Sequence, residues 1–210
     1  WVAAIDKAAA VVLLDIDSSR PLRLRASFVP EMKPMWPASF GGQSTGWVAN
    51  EGMLVMGEGL RRFRTAAGSP LFTRITEQVG HQMPDRTVML EMDVTPEQAR
   101  AKLIPIVIAG SRELYKETLE KIAELVKESD DYYAAFDRRT TRVRTPDALM
   151  NAAYDSARAA LDRGWACNDG VGCGLIAGWG ASGLSERPGF GWYFGGDAFM
   201  NSWAILDYGD

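Results

Sequence analysis

The sequence predicts an α+β protein in which strands come first and helices follow, and three observations carry that reading. Short stretches that alternate apolar and polar residues, punctuated by proline and glycine, fill residues 1–110. A charged stretch with helical spacing occupies 111–144. Two further helical stretches, separated by a glycine- and aromatic-rich loop, occupy 145–210.

The strands take their justification from period and punctuation. The apolar run from Ala10 towards Ile16 suits a central strand, and Ile104–Ile108 is a shorter one. Leu22, Leu24, Ala26 and Phe28 alternate with Arg23, Arg25 and Ser27, the period of a half-buried strand. Val88, Leu90, Met92 and Val94 alternate with Met89, Glu91 and Asp93 in the same way. Pro30, Pro34, Pro37, Gly41-Gly42, Gly57, Gly59, Gly68 and Pro84 read as turns between strands. Short strands punctuated like this predict a β-sandwich. Trp1 lies directly inside apolar sequence without an initiator methionine, so 1–110 is read as the C-terminal part of that sandwich in a longer protein.

The helices follow from caps and spacing. Ser111 caps a helix that runs to about Phe136, with Glu113 in its first turn. Tyr115, Leu119, Ile122 and Val126 form its apolar face, flanked by Leu114 and Leu125. Lys116–Glu120 and Glu117–Lys121 are four apart and are expected to pair in solvent. This helix reads as a linker, with an interaction helix for another protein as the alternative. Thr145-Pro146-Asp147 predicts the next helix start, with Thr145 as the cap and Pro146 in the first helical position. That helix shows a small-residue face of Leu149, Ala153, Ser156, Ala157 and Ala160, and Gly164 stops it. A last helix is expected from about Ala198.

Composition excludes some functions. A net charge of −4 and a pI near 5.2 disfavour nucleic acid as a partner, since phosphate binding wants a basic surface. The best apolar run, Ala8–Leu14, ends at Asp15, well short of the ~18 residues of a membrane span. The lone His81 reads as a turn residue, and no metal set is apparent. Cys167 and Cys173 flank five residues, and either a buried thiol pair in a tight loop or a disulfide formed in an oxidising compartment fits that spacing. Neither a GxGxxG after a strand nor a phosphate-cradling GxxxxGK[ST] is present, so no cofactor is expected. The compartment is left open, the cytoplasm being slightly favoured.

The loop after Gly164 carries the functional signal. Residues 164–210 contain more than half of the 21 glycines and four of the seven tryptophans. Such a segment loses much backbone freedom on folding, and long ordered loops are more often sites than scaffolding. Trp192, Tyr193 and Phe194, with Trp179 upstream, offer flat faces on which the C–H faces of a sugar stack. Asp197 and Arg187 offer charge-assisted hydrogen bonds to hydroxyls. Each has a plainer alternative: Asp197 as an N-cap, Trp192 and Phe194 as packing at a helix entrance, and Arg187 paired with Glu186.

At these residues the chain resembles a known group. The stretch ERPGFGWYFGGDAFMNSWAI at 186–205 is similar to the motif near the start of the catalytic barrel in amylo-α-1,6-glucosidase or glycogen-debranching-type enzymes, which are six-hairpin (α/α)6-barrel glycosidases. MWPASFGGQ at 35–43 and IPIVIAG at 104–110 resemble the sandwich side of such proteins more weakly. The resemblance implies that 145–210 is the first helical hairpin of an (α/α)6 barrel and that the substrate is an oligosaccharide, α-glucan or related. It also implies that Asp197 binds hydroxyls of the sugar in the subsite that is cleaved. Gly196 stands where many relatives have arginine, which removes one fixed cation from the pocket. Glycoside hydrolysis needs two carboxyl groups, and the resemblance places them on later helices, beyond Asp210, in the rest of the parent polypeptide. Asp169 and Glu186, the other carboxylates of the loop, receive no role from the motif.

Overall fold

The computed structural model describes residues 1–30, 32, 43–58, 63–76, 87–101, 103–168, 170–178 and 191–209. The chain divides into two compact units, Trp1–Asp131 and Tyr132–Asp210, and the fold is α+β.

The first unit is built on strands β1 (Val2–Ala3), β2 (Ala9–Leu14), β3 (Leu22–Phe28), β4 (Gln43–Val48), β5 (Met53–Glu58), β6 (Arg64–Gly68), β7 (Arg74–Ile75), β8 (Val88–Val94) and β9 (Ile104–Ala109). They form two antiparallel sheets, one in the order β1-β2-β9-β6-β5-β4 and one in the order β3-β8-β7. Helix α1 (Pro96–Ala101) lies between β8 and β9 in the chain, α2 (Arg112–Glu120) follows β9, and α3 (Ile122–Arg139) continues through the division between the units.

The alternation in β3 and β8 does what it predicts. Val88, Leu90, Met92 and Val94 are buried with Leu54, Met56, Ala67 and Ile104 of the larger sheet in one apolar cluster, which Phe72 and Ala99 complete. Their polar neighbours turn outward and pair across the strands: Arg25 Nε lies 2.6 Å from Glu91, and Arg74 bridges Glu91 and Asp93. The unbroken apolar character of β2 and β9 has a different cause. The opposite face of the larger sheet is covered too, Val11, Met53, Ala66, Val107 and Ala109 packing against Tyr115 of α2. A strand buried on both faces has no polar side to alternate with.

The short strands β1 and β7 and the run β4 to β6 answer to no strand expected from the sequence, and Gly57 and Gly68 lie inside strands rather than in turns. Gly68 is there because the backbones touch: a Cβ on it would sit 2.2 Å from the Gly52 carbonyl oxygen and 2.8 Å from Met53 Cα. Gly52 itself takes φ +59° to turn the chain into β5.

Ser111 caps α2 as expected, its hydroxyl accepting from Leu114 N at 3.0 Å. The single long helix predicted from Ser111 is instead two, because Lys121 leaves helical geometry at φ −115° and ψ 26°. Glu117 pairs with Lys121 and also with Lys7, whereas Lys116 reaches Glu51 at 2.9 Å rather than Glu120.

The second unit holds the end of α3, α4 (Ala148–Arg163), a hairpin of β10 (Trp165–Asn168) and β11 (Gly172–Leu175), and α5 (Gly195–Tyr208). The cap of α4 is Asp147, not Thr145: its carboxylate accepts from Leu149 N and Met150 N. Thr145 lies ahead of the helix and is held by Asn151 of its first turn, whose side chain accepts from Thr145 N and donates to Thr145 O. The inner face of α4 carries Arg158, only 2% exposed, with Asp137 at 2.7 Å, Asp155 at 3.1 Å and the Thr140 hydroxyl as partners. Its guanidinium also lies over the Phe136 and Tyr154 rings. The small-residue face of α4 points outward, with Leu149 79% exposed and Ala153, Ser156, Ala157 and Ala160 also exposed. No helix among the described residues is long and apolar enough to cross a membrane.

Candidate functional site

The head of α5 and the hairpin before it bring together most of the described residues that the sequence marks as functional. Gly164 ends α4, and its carbonyl accepts from Ile176 N at 2.9 Å, which closes the hairpin back onto the helix it leaves. One residue on, Ala177 N donates to Trp192 O at 2.9 Å, so the chain returning at 191 is anchored beside β11. Tyr193 then lies across the hairpin. Its hydroxyl is 2.9 Å from Ala166 O on β10 and 3.3 Å from Gly172 O on β11, and its ring packs against Gly174.

The loop after Gly164 thus contains a β-hairpin. Its two cysteines are directly opposed, Cys167 with Cys173, and joined in a disulfide. Both residues are exposed, which corrects the reading of a buried thiol pair and leaves the disulfide alternative standing.

Trp192 and Phe194 are 45% and 42% exposed, so neither is simple packing at a helix entrance. The Trp192 and Tyr193 rings stand 5.3 Å apart, tilted by 53°. Asp197 differs from its predicted place. The helix begins at Gly195, Phe194 occupies the N-cap position without a side-chain cap, and Asp197 is the third helical residue. The early start has a local cause: Ala198 N already bonds to Phe194 O at 2.9 Å. Its carboxylate is exposed and has no hydrogen bond or ion pair among the described residues. A negative charge in the first turn is favoured by the helix dipole, and a carboxylate not used as a cap is open to accept from a ligand.

An open depression of about 480 Å³ lies against this turn, lined by Gly196, Asp197, Phe199, Met200 and Asn201. Phe199 of this lining meets Trp203 with ring centroids 5.0 Å apart and planes tilted by 58°, and the two are 57% and 54% exposed. The i, i+4 spacing of this pair on a helix is the signal that marks it in the sequence. Gly196 has nothing within 4 Å of where a Cβ would stand, so backbone packing does not require glycine there.

Arg187 and Trp179, named as sugar contacts, lie outside the described residues, as do Asp169, Glu186 and His81. No cluster of three or more histidine, cysteine or carboxylate side chains able to hold a metal occurs among the described residues. Compared with known proteins, the chain matches no family model, no curated protein and no solved structure.

Proposed function

We propose that this chain forms part of a glycoside hydrolase acting on α-glucan or related oligosaccharides, and that it supplies one wall of the sugar-binding pocket. The observation that carries the proposal is the exposed Asp197 carboxylate in the first turn of α5, without a partner among the described residues, with exposed Phe199 lining the same depression and exposed Trp192 and Phe194 just ahead of it in the chain. Saccharides are bound by this chemistry: aromatic faces take the C–H side of a ring, and a carboxylate accepts from two hydroxyls at once. In this reading the two sheets of the first unit are the C-terminal part of a β-sandwich, and α4 and α5 are the first hairpin of an (α/α)6 barrel. The outward apolar residues Leu149, Met150, Met200, Trp203 and Leu206 support the barrel, because barrel hairpins bury such faces against their neighbours. The acid and base then belong to the rest of the parent polypeptide.

One observation favours a second reading, a non-catalytic carbohydrate-binding module. Among the described residues Asp197 is the sole carboxylate lining the depression, and hydrolysis takes two. Titration of the chain with maltoheptaose, followed by calorimetry and saturation-transfer NMR, tests both readings. Saturable binding that Asp197→Asn weakens by roughly tenfold, the scale of one charge-assisted hydrogen bond, is the expected result. Absence of binding removes both. Hydrolysis of an aryl glucoside by the chain itself, abolished in Asp197→Ala, would overturn the placement of the catalytic pair elsewhere.

A further inference from the structure

The hairpin under the aromatic residues carries more than support. Its strands are four residues each, and among the described residues they pair only with each other. An isolated two-stranded hairpin is marginal in water. Here Gly170 in the turn and Gly172 at the start of β11 both take positive φ. The one covalent tie is the cross-strand bond between Cys167 and Cys173, and both residues face solvent. Tyr193 reads the spacing of the two strands directly, because the carbonyls it bonds, Ala166 and Gly172, each immediately precede one of the cysteines. Trp192 and Phe194 flank that tyrosine in the chain, and α5 starts at the next residue.

We infer that the Cys167–Cys173 disulfide is a redox switch for the aromatic wall at the head of α5. Exposed disulfides are the ones a dithiol reductant reaches. A thiolate of the reductant attacks one sulfur, the S–S bond breaks, and the other cysteine leaves as a thiolate that takes a proton. The second thiol of the reductant then resolves the mixed disulfide. The net change is two thiols here, one disulfide in the reductant, and two electrons and two protons transferred. In the reduced state the strands lose their tie, the two acceptors of Tyr193 separate, and Trp192 and Phe194 lose their fixed seat. The structural part of the switch stands on the hairpin alone, and its effect on sugar affinity rests on the reading proposed above.

Hydrogen exchange by mass spectrometry on the oxidised and dithiol-reduced chain tests the switch. Amides of 165–176 and 191–194 are expected to exchange at least tenfold faster after reduction, while those of 53–58 and 104–109 stay unchanged. Reoxidation should restore the slow rates, and the double variant C167S/C173S should match the reduced chain without reductant. Unchanged exchange at 191–194 in both the reduced chain and the double variant overturns the proposal. So does a disulfide that reacts with dithiol only once the whole chain has unfolded. Maltoheptaose titration of both redox forms separates the two claims. Faster exchange with weaker binding supports switch and site together, and faster exchange with no binding in either form keeps the switch and removes the sugar.

Discussion

The two units treat their apolar side chains in opposite ways. Of the 22 buried hydrophobic residues among those described, 18 belong to Trp1–Asp131 and four to Tyr132–Asp210. Of the 17 large hydrophobics left exposed, 11 belong to the second unit. The first unit has two apolar clusters, one on each face of its six-stranded sheet, and each is closed by other elements of the same unit. The second is organised around a polar and aromatic knot, Arg158 with Phe136, Thr140, Asp137 and Asp155, and Phe136 meets Tyr208 edge-on at 6.0 Å. Burying a large apolar side chain is worth roughly 1.5–3 kcal/mol. The first unit therefore draws most of the apolar burial among the described residues, whereas the second leaves more of its apolar surface exposed.

The largest expected effect contrasts one side chain from each unit. Phe72 is 1% exposed in the first unit, and Phe72→Ala should cost about 3–5 kcal/mol by urea unfolding, the transfer loss plus a cavity. Leu206 is 70% exposed in the second, and Leu206→Ser should change stability by less than about 0.5 kcal/mol. A comparable loss in both variants would break the comparison. Next comes Arg158→Met, which leaves Asp137, Asp155 and Thr140 without their shared donor and should cost about 2 kcal/mol. Arg158→Lys should recover only part of it, because a point charge reproduces neither the fork nor the stacking on Phe136. Hydrogen exchange of α4 reads that loss in the second unit while the first stays protected. Smaller again is Asp147→Ala, a lost helix cap worth about 1 kcal/mol, read in the same exchange experiment.

How much of this was legible in the sequence follows the same division. β3 and β8 coincide with the predicted spans because each has one wet face, and period two leaves its mark in the residue types. The three-strand run from β4 to β6 was not legible. Its residues QSTGWV, MLVMGE and RTAAG mix small and apolar types without alternation, and Gly57 and Gly68 read as turns although close backbone approach demands Gly68. Ser111 was found as a cap because a hydroxyl before a helical pattern has one common use, while Thr145 was mistaken for the cap two residues before the true one. At the candidate site the aromatic residues and Asp197 were legible as types, but not the geometry. A hairpin of four-residue strands with glycines at 170, 172 and 174 carries no hydrophobic period to reveal it. The Cys167–Cys173 pairing left its spacing in the sequence, yet spacing alone does not separate a disulfide from two thiols.

The smallest effect sharpens the comparison through pH. In the first unit Glu51 accepts from Arg112 and Lys116, and those hydrogen bonds hold its carboxyl at about 2 against an ordinary 4.5. Asp93 is held at about 2 against 3.8, by Arg74 first and Arg23 next, and Glu91 lies below its ordinary value for the same reason. A carboxyl whose folded value is depressed refuses protons that the unfolded chain accepts, so acid favours unfolding. The contribution is complete above about pH 4.5, falls as pH drops, and is gone near pH 2, where the folded groups titrate too. These pairs sit at the surface, so the slope should be shallow and should flatten further in high salt. Urea unfolding of the first unit at pH 6, 4, 3 and 2 reads it directly. Glu51→Gln and Asp93→Asn should each flatten the curve between pH 4.5 and 2 and leave the exchange rates of α4 and α5 as they are. A slope that survives both substitutions would place the acid sensitivity outside these ion pairs, in groups that the sheet does not hold.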